Sequence, residues 1–101
     1  MIIYNVTLKV ETGIVREWQQ WMLQEHIPEM MSIGLFIRKS FSRLLDQDES
    51  EGLTFVAQYF CERKEDYEQY LQNHARAMQQ KGKDKFGDKV IGFRTLMEVI
   101  A

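Results

Sequence analysis

The chain is poor in the residues that carry most recognisable chemistry. It holds one cysteine, Cys61, one proline, Pro28, and two histidines, His26 and His74, in 101 residues. A single cysteine excludes an internal disulfide and any multi-cysteine metal site, and the two histidines match no zinc spacing. Cys61 itself reads as a small apolar residue near a strand end. No glycine-rich loop is placed to cradle a phosphate. No apolar stretch approaches the roughly 20 residues that a bilayer-spanning helix needs. No basic leader precedes an apolar run at the start, so a cytoplasmic protein is expected. Charge of one sign is also lacking. Thirteen basic and fifteen acidic residues leave a net charge of −2, which gives no global basic field to attract nucleic acid or anionic lipid.

What is present is an order of periods. Apolar residues alternate, recur at helical spacing, alternate twice, turn helical and alternate again. That order predicts strand–helix–strand–strand–helix–strand within one domain, residues 1–101. The first strand is Met1 to Val10, with Ile2, Tyr4, Val6, Leu8 and Val10 on one face. The first helix starts near Ile14 and carries Ile14, Val15, Trp18, Trp21 and Met22 as its apolar stripe. Pro28 is expected to interrupt it, one further turn to follow over 29–33, and Gly34 to end the unit. The second strand, Leu35 to about Leu45, mixes Lys39 and Arg43 with apolar residues, as an edge strand does. The acidic segment 46–52 reads as a long hairpin loop. Leu53 to Cys61 is apolar on both faces and reads as a central strand. The second helix spans about Lys64 to Gln80, with Tyr67, Tyr70, Leu71, His74, Ala75 and Met78 facing inward. A polar connection, 81–88, then leads to a fourth strand, Lys89 to Ile100.

Two strand–helix–strand units joined by a hairpin give an α+β, ferredoxin-like βαββαβ fold. It has a four-stranded antiparallel sheet with two helices on one face. Strands one and three are expected in the centre, two and four at the edges. The uncovered face is expected to carry Ile3, Asn5, Thr7, Arg38, Ser40, Val56, Gln58, Phe60, Arg94, Leu96 and Glu98. That set is too apolar for bare solvent and too polar for a dry core. A second copy packed sheet against sheet resolves this, giving a homodimer paired as a dimeric α/β barrel. A small organic molecule could then sit between the paired sheets, held by Asn5, Arg38, Gln58 and Arg94. An RNA ligand is the other solution for such a face. The segment Gly52-Leu53-Thr54-Phe55-Val56 echoes an RNA-recognition strand. Leu53 stands where an aromatic is needed and Glu51 where a base is needed, so no nucleic-acid partner is expected.

Several segments together resemble a family of short bacterial proteins of unassigned function. They are the opening MIIYNVT, Trp18-x-x-Trp21-Met22 with His26-Ile27-Pro28-Glu29, Gly34-Leu35-Phe36, Gln58-Tyr59-Phe60-Cys61, Phe86-Gly87, and the closing Phe93-Arg94-Thr95-Leu96-x-Glu98-Val99-Ile100. More distantly, the pattern is similar to the dimeric α/β-barrel superfamily. That superfamily includes cofactor-free monooxygenases, small isomerases, haem enzymes and ligand-sensing domains. The resemblance implies dimerisation more directly than it implies chemistry.

His26 is the candidate catalytic residue, a general base at the end of the first amphipathic stretch. Its other reading is a helix-terminal histidine packed on a tryptophan. His74, on the inner stripe of the second helix, reads as a hydrogen-bonded core residue. Trp18 and Trp21 read as core anchors. Arg38 and Arg94 could hold a carboxylate or an enolate, whereas Arg94 could equally pair with Glu98 or a partner subunit. No metal and no cofactor is expected. Two functional classes remain open. One is a cofactor-free oxygenase- or isomerase-like enzyme using His26; the other is a non-catalytic sensing or assembly module.

Overall fold

The computed structural model describes residues 1–101. Four strands form one antiparallel sheet: β1 (Ile2–Val10), β2 (Arg38–Arg43), β3 (Leu53–Cys61) and β4 (Val90–Glu98). Their order is β2-β3-β1-β4, so the two most apolar strands lie in the centre. The helical segments α1 (Val15–Trp21), α2 (Ile27–Ser32), α3 (Lys64–Asn73) and α4 (Ala75–Phe86) cover one face. This is the ferredoxin-like arrangement. Tyr4, Val6, Val10, Phe55, Ala57, Tyr59 and Cys61 point from β1 and β3 into the core beneath the helices.

The first helix is not interrupted at Pro28. A π-helical turn, Met22–His26, joins α1 to α2, and the Ile27 amide donates to the Met22 carbonyl five residues back. The buried residues show why. Trp18, Met22, Ile27 and Met30 are all buried, at successive spacings of four, five and three. An α-helix cannot put Met22 and Ile27 on one face, and the single wide turn does. Pro28 then falls in the first turn of α2, where a missing N–H is tolerated. Gly34, at φ +86°, ends the helix in a conformation that favours glycine.

The second helix departs from expectation in a complementary way. It breaks at His74, whose φ of −132° and ψ of −34° separate α3 from α4, and then continues through 81–86. The expected polar connection is therefore mostly helix. Phe86 anchors it, buried edge-on against Trp21 at 5.4 Å. Leu71 is 47% exposed and is not part of the inner stripe.

β2 is shorter than its sequence span. Phe36 is buried, against Tyr4, Tyr59 and Tyr70, and Ile37 is exposed. The alternation read from Leu35 is thus out of step ahead of Arg38. From there Phe41 packs inward on Trp18 and Phe55.

The largest correction concerns β4. Tyr4 pairs with Leu96, Val6 with Arg94 and Ile2 with Glu98. Arg94, Leu96 and Glu98 therefore share the helix side of the sheet with Tyr4. Ile91, Phe93, Thr95 and Met97 share the open side with Asn5 and Thr7. The more apolar set faces away from the helices, because nothing in the protomer's own helical layer fills that side.

Candidate functional site

The helical layer covers β3 and β1 well and β4 poorly. Gly92, Arg94 and Leu96 face the helix side of β4 and remain exposed. A cavity of about 460 Å³ results between the sheet and the helices. Its floor is Tyr4, Val6, Ala57 and Tyr59 of the central strands, and its walls include Trp18, Trp21, Met22, His26, Tyr70 and Met78. Arg76, Lys83 and Arg94 complete the lining from α4 and β4. The volume lies within the range of small-molecule sites.

Tyrosines organise the interior. The Tyr4 ring lies 5.3 Å from Tyr70, 5.4 Å from Tyr67 and 6.2 Å from Tyr59. Its hydroxyl accepts a hydrogen bond of 3.1 Å from Arg94 Nε. Burial, reinforced by Tyr4, pushes the Tyr59 and Tyr70 phenols above their ordinary range, so both stay protonated donors. The Tyr59 hydroxyl is buried and has no hydrogen-bond partner. A buried donor left unpaired costs free energy unless something else satisfies it.

His26 closes the π turn. Its ring stacks on Trp21 at 4.8 Å and 23°, which combines the two sequence readings: a tryptophan-packed histidine that also lines the cavity. Its Nδ1 is buried without a partner. Burial lowers its pKa from 6.5 to about 4; Glu29 opposes the shift, while Lys81 and Arg94 add to it. The imidazole is therefore uncharged at neutral pH and keeps one acceptor nitrogen. Glu29 and Lys81 form an ion pair that ties α2 to α4 beside it. His74 does not join His26. It stacks on Tyr70 at 6.5 Å and is not part of the cavity wall. No group of three His, Cys, Asp or Glu residues is placed to hold a metal ion.

The four expected ligand-binding residues do not gather. Arg94 lies on the cavity side, where Asn5, Arg38 and Gln58 are on the open side. Those three are engaged with their neighbours. Gln58 Nε2 donates to Asn5 Oδ1 at 3.1 Å, Ser40 Oγ donates to Gln58 Oε1 at 3.1 Å, and Asn5 Nδ2 donates to Thr7 Oγ1 at 3.3 Å. The Arg38 guanidinium sits 4.2 Å over the Phe60 ring, a cation–π contact. In register, Ser40, Gln58, Asn5 and Thr95 form one polar row across all four strands. The rows on either side of it, Ser42-Val56-Thr7-Phe93 and Arg38-Phe60-Ile3-Met97, mix polar and apolar residues. The sequence reading missed Tyr4, Tyr59 and Tyr70. The available signal was a hydroxyl at inward positions of central strands, which needs a partner in the core.

Comparisons with known proteins agree with this architecture. An EthD (ethyl tert-butyl ether D) family protein from Bacillus halodurans superposes with a TM-score of 0.71 at 14% identity, covering 99% of this chain and 100% of that one. A candidate antibiotic biosynthesis monooxygenase from Deinococcus radiodurans superposes at 0.72 and 16%, covering 100% and 94%. A dimeric ferredoxin-like protein from an uncultured marine organism superposes at 0.70 and 12%, covering 100% and 96%. At such identities the likeness is one of fold. No curated protein matches the chain. Residues 1–100 match the family described as a domain of unknown function, DUF4286, and the chain belongs to that family.

Proposed function

We propose that this protein binds a small organic molecule in the cavity between its helices and its sheet, and that it does so as a homodimer joined through the open sheet face. One observation carries the binding site. Two of the residues that line the cavity, Tyr59 and His26, each hold a buried polar atom without a partner, Oη and Nδ1. A bound molecule that accepts from the phenol and meets the imidazole satisfies both. Thirteen of the 22 lining residues are hydrophobic, and the rest include Gln79, Gln80 and three cations, the mixture of apolar and polar groups that ligand sites use. The location differs from the space between paired sheets, where Asn5 and Gln58 already satisfy one another.

The dimer rests on the open face. Ile91 and Phe93 are 68% and 63% exposed there, next to Lys9 and Thr7 of β1. Large apolar side chains left exposed on one edge strand mark an interaction site. Three neighbours of the same fold are described as dimeric ferredoxin-like proteins.

The site also suits proton transfer. An uncharged His26 can take a proton from a ligand C–H or O–H, and the electron pair left behind settles on a ligand oxygen near Arg94. Cofactor-free oxygenation and isomerisation both begin with such a step, and one neighbour of this fold is named as a candidate monooxygenase. A ligand-sensing module would use the same cavity without turnover. Tryptophan fluorescence titration with small aromatic ligands tests binding, because Trp18 and Trp21 both line the cavity. Turnover then separates the classes: an enzyme converts the bound ligand and loses that turnover in His26→Gln, whereas a sensor binds the ligand and leaves it unchanged. Sedimentation equilibrium at micromolar concentration tests the dimer, and a monomer there overturns it.

A further inference from the structure

Every charged side chain that lines the cavity is a cation. The wall contains Arg76, Lys83 and Arg94 and no aspartate or glutamate, in a chain whose acids outnumber its bases by two. None of these three enters an ion pair. The four that form are Lys9–Glu51, Arg43–Glu49, Arg63–Asp66 and Lys81–Glu29. Glu98 is four residues from Arg94 on the same strand face, yet it does not engage it. Arg94 spends its Nε on Tyr4, and both terminal guanidinium nitrogens make no hydrogen bond within the protein. All three cations are exposed, so they stand at the mouth between α4 and β4. The lining also includes Trp18, Met22, Met30 and Met78, and Tyr59, whose hydroxyl is buried without a partner and which packs on Tyr4 and Phe36.

From this arrangement we infer that the ligand is an organic carboxylate with an apolar, ring-sized body and one hydrogen-bond acceptor on that body. The carboxylate meets Arg94 and its fellow cations at the mouth. The body lies among the tryptophans and methionines. The acceptor takes the Tyr59 hydroxyl hydrogen. Charge-assisted hydrogen bonds from arginine to a carboxylate are the stronger kind, and a mouth free of acidic groups does not repel the anion. This inference rests on the cavity being the binding site and adds to it a charge and a polarity of entry.

The test uses 2-naphthoate, 2-naphthamide, decanoate and decanamide as probes, with quenching of Trp18 and Trp21 as the readout. The chain has no other tryptophan. Each acid is expected to bind at least about tenfold more tightly than its amide. Raising salt should weaken the acids and leave the amides unmoved. Arg94→Gln and Arg76→Gln together should bring acid and amide to similar affinity. Arg43→Gln, whose arginine pairs with Glu49 on the far edge, should not. Tyr59→Phe should weaken 6-methoxy-2-naphthoate, whose ether oxygen can accept, and leave 2-naphthoate, whose ring has no acceptor, within about twofold; an equal effect on the two overturns the acceptor. Binding of amides as tight as that of acids overturns the carboxylate while leaving the cavity as the site. No quenching by any of the four overturns both.

Discussion

Burial holds the His26 imidazole uncharged, with its pKa lowered from 6.5 to about 4. In the unfolded chain the ring titrates near 6.5, so between pH 6.5 and 4 the unfolded state binds more protons. Stability is therefore intact above pH 6.5, falls as the pH drops toward 4, and levels off below it as far as this ring is concerned. The loss attributable to His26 is roughly 3 kcal/mol. Urea melts at pH 7.5, 5.5 and 4.5 are expected to show it as the difference between wild type and His26→Gln. Equal slopes in the two proteins would mean that the ring is not buried uncharged. His26 was legible in the sequence as a candidate, because it ends an amphipathic stretch beside Trp21. Its unpartnered nitrogen was not legible, since that depends on what the π turn brings against it. Arg94 stands on the helix side of β4 and not on the open face where the alternation puts it. Both faces of β4 hold apolar residues, and alternation alone favours the more apolar one as the core. It faces outward because the core side of β4 borders a cavity.

At the scale of elements, the boundaries that glycine sets were the clearest. Gly52 opens β3 at φ +151°, and a Cβ there would press on the Val10 backbone, with the carbonyl carbon 3.0 Å away. Neither the conformation nor the neighbour can yield. Gly82 is the opposite case. It sits inside α4, and its Cβ would rest 3.6 Å from the Trp21 ring, an ordinary contact. Gly52→Ala is expected to lower stability by at least about 2 kcal/mol. Gly82→Ala should raise it by about 0.5–1 kcal/mol through helix propensity. Chemical denaturation reads both, and a shared sign would contradict this account of the two backbones. The extent of α4 was not legible. Lys81 to Lys85 carry no apolar residue, and only Phe86 packing on Trp21 shows why the helix continues.

For the whole molecule, strand order, edge and centre were legible from apolar content alone. That one sheet face is left uncovered was legible, although β4's share of it is inverted. The cavity between helices and sheet was not legible, because a volume left by incomplete helix coverage has no signature in any one strand. That geometry separates site from interface. Phe93→Asp, at an exposed position on the open face, is expected to give a monomer by sedimentation. The same variant should keep naphthoate binding within about threefold, since Phe93 does not line the cavity and a lone exposed charge is largely screened at physiological salt. A monomer that no longer binds would show that the partner completes the site.

The wide turn at Met22–His26 also bears on how relatives are aligned. A π turn is one residue more than the α-helix on either side requires. A family member could lose that residue without moving Trp18, Met22, Ile27 or Met30 from the core, so its length change would lie inside a helix and not in a loop. An alignment that forbids gaps in helices would slide every later residue by one place. His26 would then stand opposite the relatives' counterpart of Ile27, and a cavity histidine would be scored as a substituted core residue.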